Sequence, residues 1–197
     1  MIACLSNDDN RLRAAAANAL NELVQSHQLR LAPNADQVVT NLISAFEKEE
    51  TWSANAAMAE ALGNFGDSRA IAPLYRKAAG WNIASALVAG QTMGLGLSRL
   101  GAGTDQVSSM ASQPIDALLA VAKALANLGK SAEDIMEMLR PALERPGLVL
   151  EHGQISHARV PDEVNAFLLL EIRKQAATKA SQRAAASSTT RPGSSAT

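Results

Sequence analysis

The chain is similar to itself, and self-similarity at helical spacing restricts it to folds made by stacking one unit. Four segments come into register when Ala19-Leu20, Ala61-Leu62, Gly96-Leu97 and Ala124-Leu125 are superimposed. The register opens with Leu12, Ala54, Ala89 and Ala117, and four residues later stand Ala16, Met58, Met93 and Val121. The small residue of each dipeptide follows, then its leucine (Leu20, Leu62, Leu97, Leu125), and then a large apolar side chain, Leu23, Phe65, Leu100 or Leu128. Steps of about four, three, one and three residues trace one face of an α-helix. Each segment therefore reads as an amphipathic helix that hides the same face.

The four leucines stand 42, 35 and 28 residues apart. Such intervals suit one pair of helices with its turns, the last pair being trimmed. First helices of the following pairs are expected at Ala35–Glu49, Ser68–Ala79, Thr104–Ala111 and Ala132–Leu143. Stop signals fall between them at Gly63 and Gly66, Gly80, Gly101 and Gly103, and Gly129, because glycine readily ends a helix. Asn34, Asp67 or Ser68, and Ser131 are the start signals, and Ser131 with Asp134 has the form of an acidic capping box.

Composition agrees with this plan. Apolar residues make up 47% of the chain but aromatics only 3%, so the core has to come from Ala, Leu, Val, Ile and Met, which suit closely packed helices. A net charge of −1 argues against a body held on nucleic acid. The single cysteine, Cys4, excludes an intrachain disulfide and a cysteine-based zinc cage. No run of about 18 apolar residues is present for a membrane span, and the N-terminus lacks a signal-peptide pattern. The expected location is cytoplasmic.

Two stretches resemble a known family. The run from Ala61-Leu62-Gly63-Asn64-Phe65-Gly66-Asp67 through Ser68-Arg69-Ala70-Ile71-Ala72-Pro73-Leu74 is similar to the junction of HEAT-like repeats, particularly those of phycobilin lyases and bacterial adaptor proteins. The run Asn7-Asp8-Asp9-Asn10-Arg11-Leu12-Arg13, continuing to Leu20, resembles the turn and second helix of the same repeat, with Arg13 at the family's arginine. Asn55, Gly90 and Leu118 stand there in the later copies. The resemblance implies an all-α fold: an α-solenoid of about four antiparallel helix pairs, with a C-terminal capping helix and a disordered tail. It also implies two kinds of function, a protein-binding adaptor or a subunit of a phycobilin-type chromophore lyase.

The domain plan follows. Residues 1–146 form the repeat solenoid, with an incomplete first repeat because only Met1 to Leu5 precede its first matched helix. Its uncovered face is expected either to reflect a missing segment or to meet a second subunit. Residues 147–180 hold an excursion, either a small hairpin or irregular, and a final helix from Asp162 to about Lys179 that buries Val164, Phe167, Leu168 and Ile172. Residues 181–197, rich in Ala, Ser and Thr, are expected to be disordered.

Chemistry-bearing motifs are scarce. His152 and His157 match no zinc spacing, and Gly90, Gly94 and Gly96 lack the Lys-Ser/Thr of a phosphate loop, so they read as helix-packing glycines. No serine has a nucleophile-elbow context. Glu47, Glu49 and Glu50, like Glu133, Asp134 and Glu137, read as solvated helix faces. No catalytic residues, metal ligands or cofactors are expected. The non-core positions of the second helices, Arg11, Asn18, Asn55, Glu60, Gln91, Lys123 and Asn127, are the candidates for a weakly charged partner-binding groove. Trp52 and Trp81 stand just before the second and third matched helices and serve either as docking anchors or as buried turn residues. A basic tail, Arg173 to Arg191, is read as solubilising. The expected function is a scaffold presenting a concave helical surface to another protein or peptide, with nucleic-acid binding a further alternative.

Overall fold

The structure of the protein is a computed structural model, which describes residues 2–26, 33–90, 104–151 and 154–189. A 3-10 helix (Ile2–Ser6) leads into α1 (Asn10–Gln25), followed by α2 (Ala35–Lys48) and α3 (Trp52–Phe65). A second 3-10 turn (Ser68–Ala70) opens α4 (Ile71–Gly80), and α5 covers residues 83–90. Then come α6 (Thr104–Asn127), α7 (Ala132–Glu144), an antiparallel hairpin of β1 (Gly147–Glu151) and β2 (Gln154–Ala158), and α8 (Asp162–Thr189). The described chain is thus helical throughout, with one hairpin in the stretch where the sequence left a hairpin or an irregular excursion open. None of its helices is long and apolar enough to cross a membrane.

The helix ends follow from local chemistry. Gly66 closes α3 at φ 76° and Gly129 follows α6 at φ 99°, a left-handed conformation that a side chain would strain. Ser131 Oγ accepts from the Asp134 N–H at 3.1 Å while the Asp134 carboxylate accepts from the Ser131 N–H at 3.3 Å, the reciprocal cap read from the sequence. The Asp9 carboxylate caps α1 by accepting from the Arg11 N–H at 2.8 Å.

Packing centres on α3. It touches α1 and α6, while α2 lies against α3 and α4, α4 against α6 and α7, and α8 against α6 and α7. The shared register explains what α1, α3 and α6 bury: Ala16, Met58 and Val121 are all in the core, as are Leu20, Leu62 and Leu125. Each fully buried leucine contributes roughly 1.5–3 kcal/mol of transfer free energy. Helices α3 and α6 approach so closely that a Cβ at Gly63 would lie 2.5 Å from Ala124 Cα. Gly63 is therefore a packing residue inside α3 rather than a stop.

Several expectations need correction. Helix α3 packs directly on α6; of the third matched segment, Ala89 is exposed, and Met93, Gly96, Leu97 and Leu100 lie outside the described residues. Residues 104–111 are no separate helix. They continue into 117–128 as one helix with Pro114 buried inside it, because no glycine interrupts the stretch and proline alone kinks a helix without necessarily ending it. Leu12 and Phe167, expected inside, are 49% and 50% exposed, since no element among the described residues covers their side of α1 or α8. Leu168 and Ile172 are buried as expected. Helix α8 continues to Thr189 through a stretch expected to be disordered; its alanines, the strongest helix formers, propagate a helix without needing a core. Residues 190–197 lie outside the described residues.

The hairpin is fastened to the rest of the fold at its base. Arg145 donates to the carbonyls of Gly80 (2.8 Å) and Ala79 (3.0 Å), which end α4. Asn82 donates to the Pro146 carbonyl at 3.0 Å and caps α5 by accepting from the Ser85 N–H at 2.9 Å. A Cβ on Gly147 would fall 2.6 Å from Ser85 N, so this crossing admits only glycine.

Candidate functional site

Four helices that share one side of the fold enclose an open cavity of about 490 Å³. Asn18 reaches it from α1, and Trp52, Ser53 and Glu60 from α3. Helix α6 contributes Gln113, Asp116 and Lys123, and α8 contributes Gln175. Alanines 56, 57 and 120 with Leu119 form the apolar part of the lining. Helical periodicity places these side chains together: on α6, residues 113, 116, 120 and 123 repeat at steps that keep one face.

The polar lining is organised. Lys123 Nζ donates to Glu60 Oε1 at 2.9 Å, bridging α6 to α3 with both side chains partly exposed. Such a pair adds little stability, at most about 1 kcal/mol, because water screens it. Its effect is to fix where the charges stand. Ser112 Oγ donates to Asp116 Oδ2 at 3.0 Å. Trp52 packs edge-on against the buried Trp81, with ring centroids 5.1 Å apart and an interplanar angle of 69°, and this contact holds the indole at the cavity wall. Beyond Lys123, a chain of carboxamides crosses α6, α3 and α1. Asn127 donates to Asn64 Oδ1 at 2.9 Å, and Asn64 donates to Asn21 Oδ1 at 2.7 Å.

A second polar cluster supports the frame at the turn between α2 and α3. Glu49, read as solvated, has a side chain only 1% exposed. It accepts from Arg13 Nε at 2.5 Å and Arg13 Nη2 at 2.9 Å, and from the Thr51 N–H and hydroxyl at 2.9 and 2.8 Å. Burial pushes the Glu49 carboxyl up, but the Arg13 and Thr51 hydrogen bonds and the Arg13 charge outweigh it and hold the pKa at about 2, against an ordinary 4.5. Arg13 also donates to the carbonyls of Asn7 and Asp8, at 2.7 and 3.0 Å. Asn55, at the same place in the repeat register, does likewise with its own turn, donating to the carbonyls of Glu49 (3.3 Å) and Thr51 (2.9 Å). Lys77 Nζ donates to the carbonyls of Glu47 and Glu49, and burial draws its pKa below the usual lysine value against the pull of the neighbouring carboxylates.

The structure sorts the anticipated groove residues. Asn18, Trp52, Glu60 and Lys123 meet at the cavity, and Asn127 joins the carboxamide chain beside it. Asn55 is buried and belongs to the turn, because the short amide replaces the arginine that caps the preceding copy. Trp81 is buried too, packed in the core next to Trp52, and does not line the cavity. Arg11 is exposed at the start of α1 and does not line the cavity. Gln91 lies outside the described residues. Sequence reasoning missed Gln113, Asp116 and Gln175. The α6 pair continues the Lys123 face backward past residue 117, where the sequence reading placed a break, whereas Gln175 on α8 follows no shared register.

Comparison with known proteins finds no family profile that matches the chain, no similar curated protein and no solved structure of like fold.

Proposed function

We propose that the protein is a binding scaffold, a short HEAT-like stack of helix pairs that takes a segment of a partner protein on the side formed by α1, α3, α6 and α8. The neighbour relations support the stack: α1, α3, α6 and α8 follow one another in one row, and α2, α4 and α7 in another. The observation that carries the reading is the meeting of Asn18, Trp52, Glu60 and Lys123, drawn from three helices, around one open cavity. A half-buried tryptophan set among fixed polar groups is the usual composition of an interface anchor. Binding here means complementarity of shape and charge, with no bond made or broken.

A photo-crosslinking residue placed at Asn18, or on the opposite row at the exposed Tyr75, tests the assignment. In lysate of the native cells, the Asn18 position should yield a discrete adduct that the Tyr75 position does not. Equal adducts at both positions, or none at Asn18, would remove the proposal.

A further inference from the structure

We infer that the cavity between α1, α3, α6 and α8 receives a guanidinium group, so that the partner segment is held by an arginine side chain. This rests on the partner-binding reading and adds the chemistry of the docked group.

Three features of the lining point to that group. The first is charge: Glu60 and Asp116 face the cavity against the single ammonium of Lys123, which already sits 2.9 Å from Glu60. The surplus is negative, so a cation is favoured and an anion repelled. The second is the indole of Trp52 in the wall, a surface on which cations rest favourably, arginine more often than lysine because its flat, weakly hydrated head also stacks. The third is an acceptor in want of a donor. Gln175 lines the cavity, and its Oε1, turned away from solvent, has no hydrogen-bond partner among the described residues, so a rotation of the carboxamide would bring it to an incoming N–H. A buried acceptor left unmet costs free energy that an incoming N–H would recover. Guanidinium carries five donors in a fixed fork and no acceptor, which answers carboxylates and amide oxygens together. An apolar side chain would displace water from both carboxylates without offering a donor in return, and a carboxylate would meet two like charges. The volume of about 490 Å³ exceeds that of one side chain, so the peptide on either side of the arginine enters with it.

The test uses the full chain and its own fluorescence. The sequence holds two tryptophans, Trp52 and Trp81, whose rings lie 5.1 Å apart, so tryptophan emission reports on this wall. N-acetyl-arginine amide should change the emission saturably, and N-acetyl-citrulline amide, of the same shape without the charge, should not. Glu60→Gln combined with Asp116→Asn should weaken the arginine response at least about fivefold. Lys123→Met, which removes the competing ammonium, should strengthen it. Equal responses to arginine and citrulline, no response to either, or tighter binding by the carboxylate variant would overturn the inference, and the comparison of the two ligands needs no variant to fold. A partner adduct at Asn18 with no arginine response removes the guanidinium assignment alone. An arginine response with no adduct upholds the cation site and removes the partner-binding reading.

Discussion

Replacing Glu49 with glutamine keeps the shape of the side chain and deletes its charge, so the variant isolates what the buried pair with Arg13 contributes. A carboxyl held at about 2 in the fold and at 4.5 in the unfolded chain is worth about 3 kcal/mol at neutral pH. Removing one partner of a buried pair costs a similar amount, roughly 3–5 kcal/mol. The sign of the pH dependence follows from the lowered pKa. The contribution is complete above the unfolded value of 4.5 and is lost as the pH falls toward about 2, where the folded form also takes up its proton. At pH 3 only about 1 kcal/mol should remain. Urea unfolding followed by helix circular dichroism, on native protein and Glu49→Gln at pH 7 and pH 3, measures the difference at each. A gap that narrows by half or more on acidification is the expected outcome. An equal gap at both pH values would show that the glutamine harms packing and that the charge contributes nothing.

Other perturbations separate the parts of the fold. Gly63→Ala should destabilise by about 1–3 kcal/mol in thermal or urea unfolding, although alanine is the better helix former, because its Cβ would meet the Ala124 backbone at 2.5 Å. Unchanged stability would mean that α3 and α6 do not cross there. Trp81→Ala should cost roughly 3–5 kcal/mol as a core truncation, whereas Trp52→Ala should cost less and act chiefly on partner capture; equal losses of stability would place both rings in the core. Leu62→Ala should cost about 2–5 kcal/mol and Leu12→Ala no more than about 0.5 kcal/mol, although both stand on the face that the repeat register marks as buried. A costly Leu12 change would show that its side of α1 is covered.

What could be read from the sequence was whatever repeats with helical period. Leu20, Leu62 and Leu125 marked the core, and the glycine and serine signals marked the ends of α3, α6 and α7, because both depend on residues a few positions apart. Periodicity identifies a face but not whether a neighbour covers it. Leu12 and Phe167 therefore looked buried and are not. Nor does it supply the partner of a distant charge: Glu49 stood in an acidic run that resembled a solvated face, and its burial depends on Arg13 from another helix. Asn55 looked like a surface amide because the turn carbonyls that hold it become neighbours only once α2 and α3 fold back on each other. Of the cavity, Asn18, Trp52, Glu60 and Lys123 could be found as polar or aromatic positions on the repeated helices. Asp116 and Gln113 were hidden by the assumed break ahead of residue 117, and Gln175 is brought in only by the packing of α8 on α6.

Hydrogen exchange on the protein, alone and with a partner captured through the Asn18 position, tests the proposed binding side directly. Slowed exchange confined to the stretches of α1, α3 and α6 around Asn18, Glu60 and Lys123 is the result expected here. Slowing spread over α2, α4 and α7, with those stretches unchanged, would contradict it.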